Sequence, residues 1–153
     1  MGLAQFIGDL FSRFARRFSP SPKEGENAER WLGAYGERRA ARHLRRNGYK
    51  VLYRNFRAPR GGEVDIVCRD KSCNTLVFVE VKTRRSLDFG SPAEAVNQEK
   101  QKLITRGAMA WLKLLGMPDV LFRFDIVEVM VTEGGTRCEI IRDAFPLPEP
   151  YIY

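Results

Sequence analysis

The sequence predicts an α/β fold, a mixed central sheet flanked by helices, with an amphipathic helix appended in front of it. Three observations carry this. After residue 27 the hydrophobic pattern alternates between helical and strand periods in the order αβββαββ. The 153 residues, 44% hydrophobic and 29% charged, match one soluble globular domain with one core. Finally, SPSPKEGEN at 19–27 cannot continue a helix and sets the first 18 residues apart from the domain. The expected organisation is an amphipathic helix at 1–18, a linker at 19–27, a domain at 28–145 and a tail at 146–153.

In LAQFIGDLFSRFARRF (3–18), Leu3, Phe6, Ile7, Leu10, Phe11, Phe14 and Phe18 recur at helical spacing. The next helix runs from Ala28 to about Asn47, where Gly48 ends it. YKVLYRNFR (49–57) reads as a strand. Strands at about 62–69 and 75–82 form a hairpin around Asp70–Asn74. The Gly/Pro-bearing RRSLDFGSP leads to a helix that starts at about Ala93 or Asn97 and ends at Leu115, before Gly116 and Pro118. LFRFDIVEVMV (121–131) is a strand, and TRCEII (136–141) returns beside it after Gly134 and Gly135. PLPEPYIY is expected to be irregular.

Composition excludes several classes. No apolar run approaches a membrane span, and no secretory h-region opens the chain, so a cytoplasmic protein is expected. Three cysteines (Cys68, Cys73, Cys138) and one histidine (His43) lack the spacing of a zinc site, which needs about four N/S ligands. They read as free thiols in a reducing compartment. The formal charge of +7 is concentrated: Glu37–Arg60 holds nine Arg/Lys (Arg38, Arg39, Arg42, Arg45, Arg46, Lys50, Arg54, Arg57, Arg60) against Glu37 alone, +8 in that segment. Such a field suits phosphate-bearing partners. A solvated, arginine-rich helix face is the other reading.

The hairpin GGEVDIVCRDKSCNTLVFVEVKTRR (61–85) sets Glu63, Asp65, Glu80 and Lys82 among valines. Alternation puts Val77, Val79 and Val81 on one face of the second strand, with Phe78, Glu80 and Lys82 on the other. On the first strand it groups Val64, Ile66 and Cys68 against Glu63, Asp65 and Val67. With apolar faces matched and the turn centred between Ser72 and Cys73, Asp65 falls opposite Glu80 and Glu63 opposite Lys82. Facing carboxylates have Cβ atoms roughly 5 Å apart and repel unless a positive charge joins them. Lys82 is one candidate for that charge, and a hard divalent cation such as Mg²⁺ is a better one. Ordinary surface charges on a polar sheet face are the alternative reading.

Glu37 shares its helix stripe with Ala34, Ala41 and Leu44, and its i±3 and i±4 neighbours offer no cation. It therefore needs a partner from elsewhere in the fold. Lys100 shares a face with Leu103, Ile104, Gly107 and Trp111 near a helix start, where a lysine also snorkels to water.

Tyr35-Gly36-Glu37, GEVDIV (62–67), FVEVKTR (78–84), FGSP (89–92) and RFDIVEV (123–129) together resemble the YraN-like family of small bacterial proteins. That family is similar to archaeal Holliday-junction resolvases, within the restriction-endonuclease-like PD-(D/E)XK nucleases. The resemblance spans about residues 29–145. It implies a restriction-endonuclease-like mixed sheet flanked by helices and a Mg²⁺- or Mn²⁺-dependent cut of DNA phosphodiesters, branched or single-stranded DNA included. By motif, Asp65 resembles the aspartate of the PD half, although Val64 stands where proline would. Glu80 and Lys82 resemble the (D/E)XK half, and Glu37 the helix glutamate of the resolvase-like branch. Glu63 belongs to the G-E-x-D pattern. The implied metal ligands are Asp65, Glu80 and Glu37, with Lys82 as a catalytic cation. Arg38, Arg42, Arg57, Arg60, Arg84, Arg85 and Lys100 are the expected nucleic-acid contacts. A non-catalytic nucleic-acid-binding module of the same fold is the rival reading.

The four phenylalanines of 3–18 exceed what a short appended helix leaves in water. Arg13, Arg16 and Arg17 suit both the helix dipole and anionic headgroups. The stretch is expected to dock on the domain, pair with a second copy as a homodimer, or lie on a membrane surface, which would make the protein peripheral there. A mitochondrial presequence has a similar character, and Asp9 counts against it.

Overall fold

The computed structural model describes residues 20–85 and 96–149. The expected helix over 3–18 and the earlier helix start at Ala93 fall outside these residues. The elements are α1 (Ala28–Arg46), β1 (Tyr49–Arg57), β2 (Glu63–Asp70), β3 (Thr75–Arg84), α2 (Gln98–Leu114), β4 (Phe122–Thr132) and β5 (Gly135–Phe145). The predicted order αβββαββ and the mixed sheet flanked by helices are both present.

The sheet order is β1-β2-β3-β4-β5. All neighbours are antiparallel except β3 and β4, which run parallel. A parallel pair needs a long crossover, and α2 supplies it. Asn27 caps α1, its Oδ1 accepting the Arg30 N–H at 2.9 Å. Asn97 caps α2 by accepting the Lys100 N–H at 3.0 Å, so the described helix begins at the later of the two expected starts.

Each helix covers one face of the sheet. Ala40, Ala41 and Leu44 of α1 pack on Tyr49, Ile66, Cys68, Val77, Val79, Val127 and Val129. Ile104, Ala108 and Leu112 of α2 pack on Phe56, Val64, Val67, Phe78, Phe124, Ile126 and Phe145. A sheet buried on both faces explains why β3 reads as near-continuous apolar sequence from Leu76 to Val79. Among the described residues no helix is long and apolar enough to cross a membrane.

Two expectations change. Val64 does not share a face with Ile66 and Cys68. It packs on the α2 side while they pack on the α1 side. The change falls at Asp65: between the pairs Arg54↔Ile66 and Phe56↔Val64, Asn55 adopts φ 56° and neither Asn55 nor Asp65 is paired in the ladder. Strand β5 also runs to Phe145 rather than ending at Ile141. The Asp143 N–H donates to Asp125 Oδ1 at 3.0 Å, with Asp143 at φ 50°. This irregularity returns Phe145 to stack on Phe124, ring centroids 4.8 Å apart.

Candidate functional site

The β2–β3 hairpin has the predicted register, and its last ladder pair is Ile66↔Val79. Beyond that pair the strands part. The Val81 N–H, deprived of a ladder acceptor, donates to Asp65 Oδ2 at 2.8 Å. The side chain of Asp65 thus takes the place of backbone pairing at the fork, one residue from Glu80. The strands separate before Glu63 can face Lys82, so that expected pair does not form. Lys82 Nζ instead stands 3.4 Å from Glu80 Oε1.

Glu80 is 3% exposed. Its Oε1 lies 3.4 Å from Lys82 Nζ and 3.5 Å from Lys100 Nζ, while its Oε2 is buried without a hydrogen-bond partner among the described residues. Burial, reinforced by the Asp65 charge, pushes the Glu80 carboxyl up to about 7 against the pull of both lysines. A buried, incompletely paired carboxylate costs free energy that packing alone does not recover.

Two close approaches of backbone bring the helices to the fork. Gly36 of α1 lies directly on Thr83 of β3, where any Cβ would run into the threonine side chain. The next residue, Glu37, is thereby set into a cleft of about 420 Å³, which it lines with Glu29, Leu32, Asp65, Glu80 and Lys82. Burial raises the Glu37 carboxyl, a hydrogen bond from Asn55 opposes this, and the Asp65 charge adds to the rise. Its nearest cation is Arg54, at 4.0 Å. On the other face Gly62, at φ +111°, meets Gly107 of α2. A Cβ there would lie 2.6 Å from the Gly107 nitrogen. This contact seats α2 so that Lys100 points at the carboxylates.

Lys100 therefore turns toward the carboxylates rather than snorkelling outward. It hydrogen-bonds Glu63, which also accepts from Arg57 Nη1 at 2.7 Å. The Lys100 hydrogen bond, aided by Arg57, holds Glu63 below its usual range. Desolvation works to lower the Lys100 ammonium, but Glu63 and Glu80 outweigh it and raise it. Of the other expected nucleic-acid contacts, Arg38, Arg42 and Arg60 are exposed. Arg57 is exposed but committed to Glu63. Arg84 is half-buried. Arg85 lies over the Trp31 ring at 5.8 Å and donates to the Pro20 carbonyl at 3.3 Å.

The donor set fits a hard cation. Asp65 and Glu80 offer carboxylate oxygens at a desolvated point, and the unpartnered Glu80 Oε2 is the kind of atom such an ion satisfies. Among the described residues no three His, Cys, Asp or Glu side chains are gathered to hold a metal ion. A hard cation such as Mg²⁺ needs only one or two carboxylates from the protein, its shell being completed by water and substrate phosphate.

Sequence reasoning missed the Arg57–Glu63–Lys100 chain and a second buried network. In that network Arg123 forks onto Asp125 at 2.9 and 3.1 Å and reaches Asp70 at 2.9 Å and the Tyr49 hydroxyl at 3.0 Å. The available signal was Arg123 and Asp125 at alternate positions of an otherwise apolar strand.

A mixed sheet clasped between two helices makes this an α/β protein, with acids and a lysine converging where two of its strands part. The profile of the Uncharacterised protein family UPF0102 matches residues 36–129. The chain is 48% identical over 125 residues to a UPF0102 protein of Geobacter sulfurreducens, covering 81% of this chain and 95% of that one. A UPF0102 protein of Chlorobaculum tepidum is 48% identical over 111 residues, 72% and 84% of the two chains. One of Rhodococcus jostii is 47% identical over 115 residues, 74% and 95%. The chain belongs to the UPF0102 family, also called the YraN family, as the resemblance of its motifs implied.

Proposed function

We propose that this protein is a metal-dependent nuclease acting on DNA phosphodiesters, with the fork between β2 and β3 as its active site. The observation that supports this most is Glu80, buried beside Asp65 with one oxygen unpartnered and its proton affinity raised. Buried structural acids are ordinarily paired in full, whereas strongly shifted ones cluster at working sites.

Asp65 and Glu80 would hold Mg²⁺ or Mn²⁺, and Glu37, at the cleft wall, would hold one of the ion's waters. A bound ion supplies Lewis-acid polarisation of the phosphate and lowers the pKa of a water. Asp65 uses one oxygen to hold the Val81 amide, so its orientation is fixed before substrate arrives. Lys82 lies where it can orient the attacking water or offset charge growing on the phosphate. Lys100 holds Glu63 and Glu80 together and so positions the acid rather than touching substrate. Arg38, Arg42 and Arg60 supply positive charge that positions a phosphate backbone without reading sequence. A DNA partner accords with the expected cytoplasmic location.

The test is cleavage of branched, single-stranded and duplex DNA with Mg²⁺, Mn²⁺ or chelator. Metal-dependent scission by the wild type is expected. Since removing a residue that merely supports a metal ligand costs about 10–100-fold, Glu80→Gln should lose roughly 100-fold or more. Salt-sensitive DNA binding without scission on any substrate would instead identify a non-catalytic binding module.

A further inference from the structure

Helix α1 has a second charged flank, of which the fork reading uses Arg42 alone. Arg39, Arg42 and Arg46 recur at i, i+3 and i+7, spanning about 10 Å of helix. Across a groove of about 370 Å³ lie Thr136 and Cys138 of β5, with Arg137 between them at the rim. The groove is fastened at one side by Tyr35, whose hydroxyl lies 2.7 Å from Thr136 Oγ1 and ties α1 to β5. Glu37 and Arg39 are two positions apart, so they diverge by about 200° around the helix axis. The groove and the catalytic cleft therefore occupy opposite flanks of α1.

The arginines of this groove differ from the ion-paired ones. Arg57, Arg123 and Arg142 are each committed to a carboxylate. Arg39, Arg42, Arg46 and Arg137 have no carboxylate partner among the described residues, and the buried Nε of Arg39 has no hydrogen-bond partner among them either. Like charges held together repel, and the cost is visible on a neighbour. Burial, then Arg39 and Arg46, lower the proton affinity of His43, which lines the same groove. Uncompensated guanidiniums gathered along a groove match the forked, anionic oxygens of a phosphodiester.

We infer that the α1–β5 groove binds a second segment of nucleic-acid backbone, on the far flank of α1 from the cleft. The inference rests on the nucleic-acid reading of the fork and adds where the strand lies beyond it. Contacts of this kind release counterions, so each removed arginine flattens the salt dependence of binding by about 0.9 in log–log slope.

The groove also carries its own reporter, Cys138, which lines it half-buried. With Cys73→Ser in the full chain, Cys138 is the one accessible thiol among the described residues, because Cys68 is fully buried. Two measurements test the proposal. The first is the affinity of the Arg39→Gln/Arg42→Gln/Arg46→Gln variant for a duplex DNA over a range of KCl. The second is the iodoacetamide alkylation rate of Cys138 with and without saturating DNA. A slope lower by about 3 and a several-fold slower alkylation are expected. Lys50→Gln/Arg69→Gln/Lys71→Gln, an equal charge change on the β1–β2 side of the sheet, should alter the slope less. If both triple variants lower it equally, or if DNA leaves Cys138 fully reactive, the groove is not a binding site even though the protein binds DNA. If the wild type shows no salt-dependent binding at all, the nucleic-acid reading of the fork fails first and takes the groove with it.

Discussion

Two buried clusters of acids occupy this sheet, and they are built on opposite terms. Around Asp125 every requirement is met. Arg123 engages both of its oxygens, the Asp143 amide donates to one, and Tyr49 donates to the other at 3.3 Å. Asp70 accepts from the amide and hydroxyl of Ser72 and from Arg123 and Arg142. Around Glu80 two lysines approach a single oxygen and the other is left without a partner among the described residues. Burial alone therefore does not mark a functional acid. What distinguishes the fork is the unmet demand for positive charge that remains after the fold is complete.

The sharpest way to break this comparison is to remove one acid from each cluster. Asp125→Ala removes one of the two carboxylates that hold the part-buried Arg123 guanidinium and is expected to cost about 3–5 kcal/mol in urea unfolding. Glu80→Gln should leave stability unchanged or raise it, because it removes a charge the fold does not fully pair. A loss at Glu80→Gln as large as that at Asp125→Ala would show that the fork, too, is structural.

Acid–base behaviour separates the clusters next, with slopes of opposite sign. Between about 4.5 and 7 the folded chain keeps a proton on Glu80 that the unfolded chain has released. Stability should fall as pH rises through that window, and Glu80→Gln should abolish the fall. For Asp70, burial works to raise the carboxyl, but the Ser72 and Arg123 hydrogen bonds outweigh it and hold it well below its ordinary value of 3.8. The stability it contributes is fully present above that value and is lost as pH falls through the lower, folded one. Urea titrations across pH on wild type, Glu80→Gln and Asp70→Asn would show both slopes.

A smaller effect is expected at the contact that delivers Glu37. Gly36→Ala forces a methyl into Thr83 and should cost about 1–3 kcal/mol. Thr83→Ala in the same chain should recover part of this, and additive losses would mean that α1 does not bear on β3 there. The least effect belongs to Arg57→Ala. Its side chain is 76% exposed, so loss of the Glu63 pair should change stability by no more than about 1 kcal/mol.

Much of this was legible in the sequence, for local reasons. The β2–β3 register follows from strand alternation and a centred turn, and it set Asp65 and Glu80 side by side at the fork. The caps at Asn27 and Asn97 follow from side chains that compete for backbone amides. The illegible parts depend on partners far apart in the chain. The destination of Lys100 is set by the contact of Gly107 with Gly62, which no periodicity encodes. The Asp70–Arg123–Asp125 network joins β2 to β4, strands that are not even neighbours in the sheet. Val64 changed faces where the ladder breaks at Asn55 and Asp65, a left-handed turn at Asn55 that asparagine accepts more readily than most residues but that the alternating pattern did not show.

That asparagine has another effect. Strand β1 is an edge of an open sheet, where unpaired amides and carbonyls can template a strand from another chain. Its register shifts between Val51 and Tyr53, and then Asn55 turns the backbone out of the extended region. A foreign strand meets no flat, continuous row of donors and acceptors there. The bend that leaves Asp65 outside the ladder at the fork thus also guards the protein against edge-to-edge aggregation.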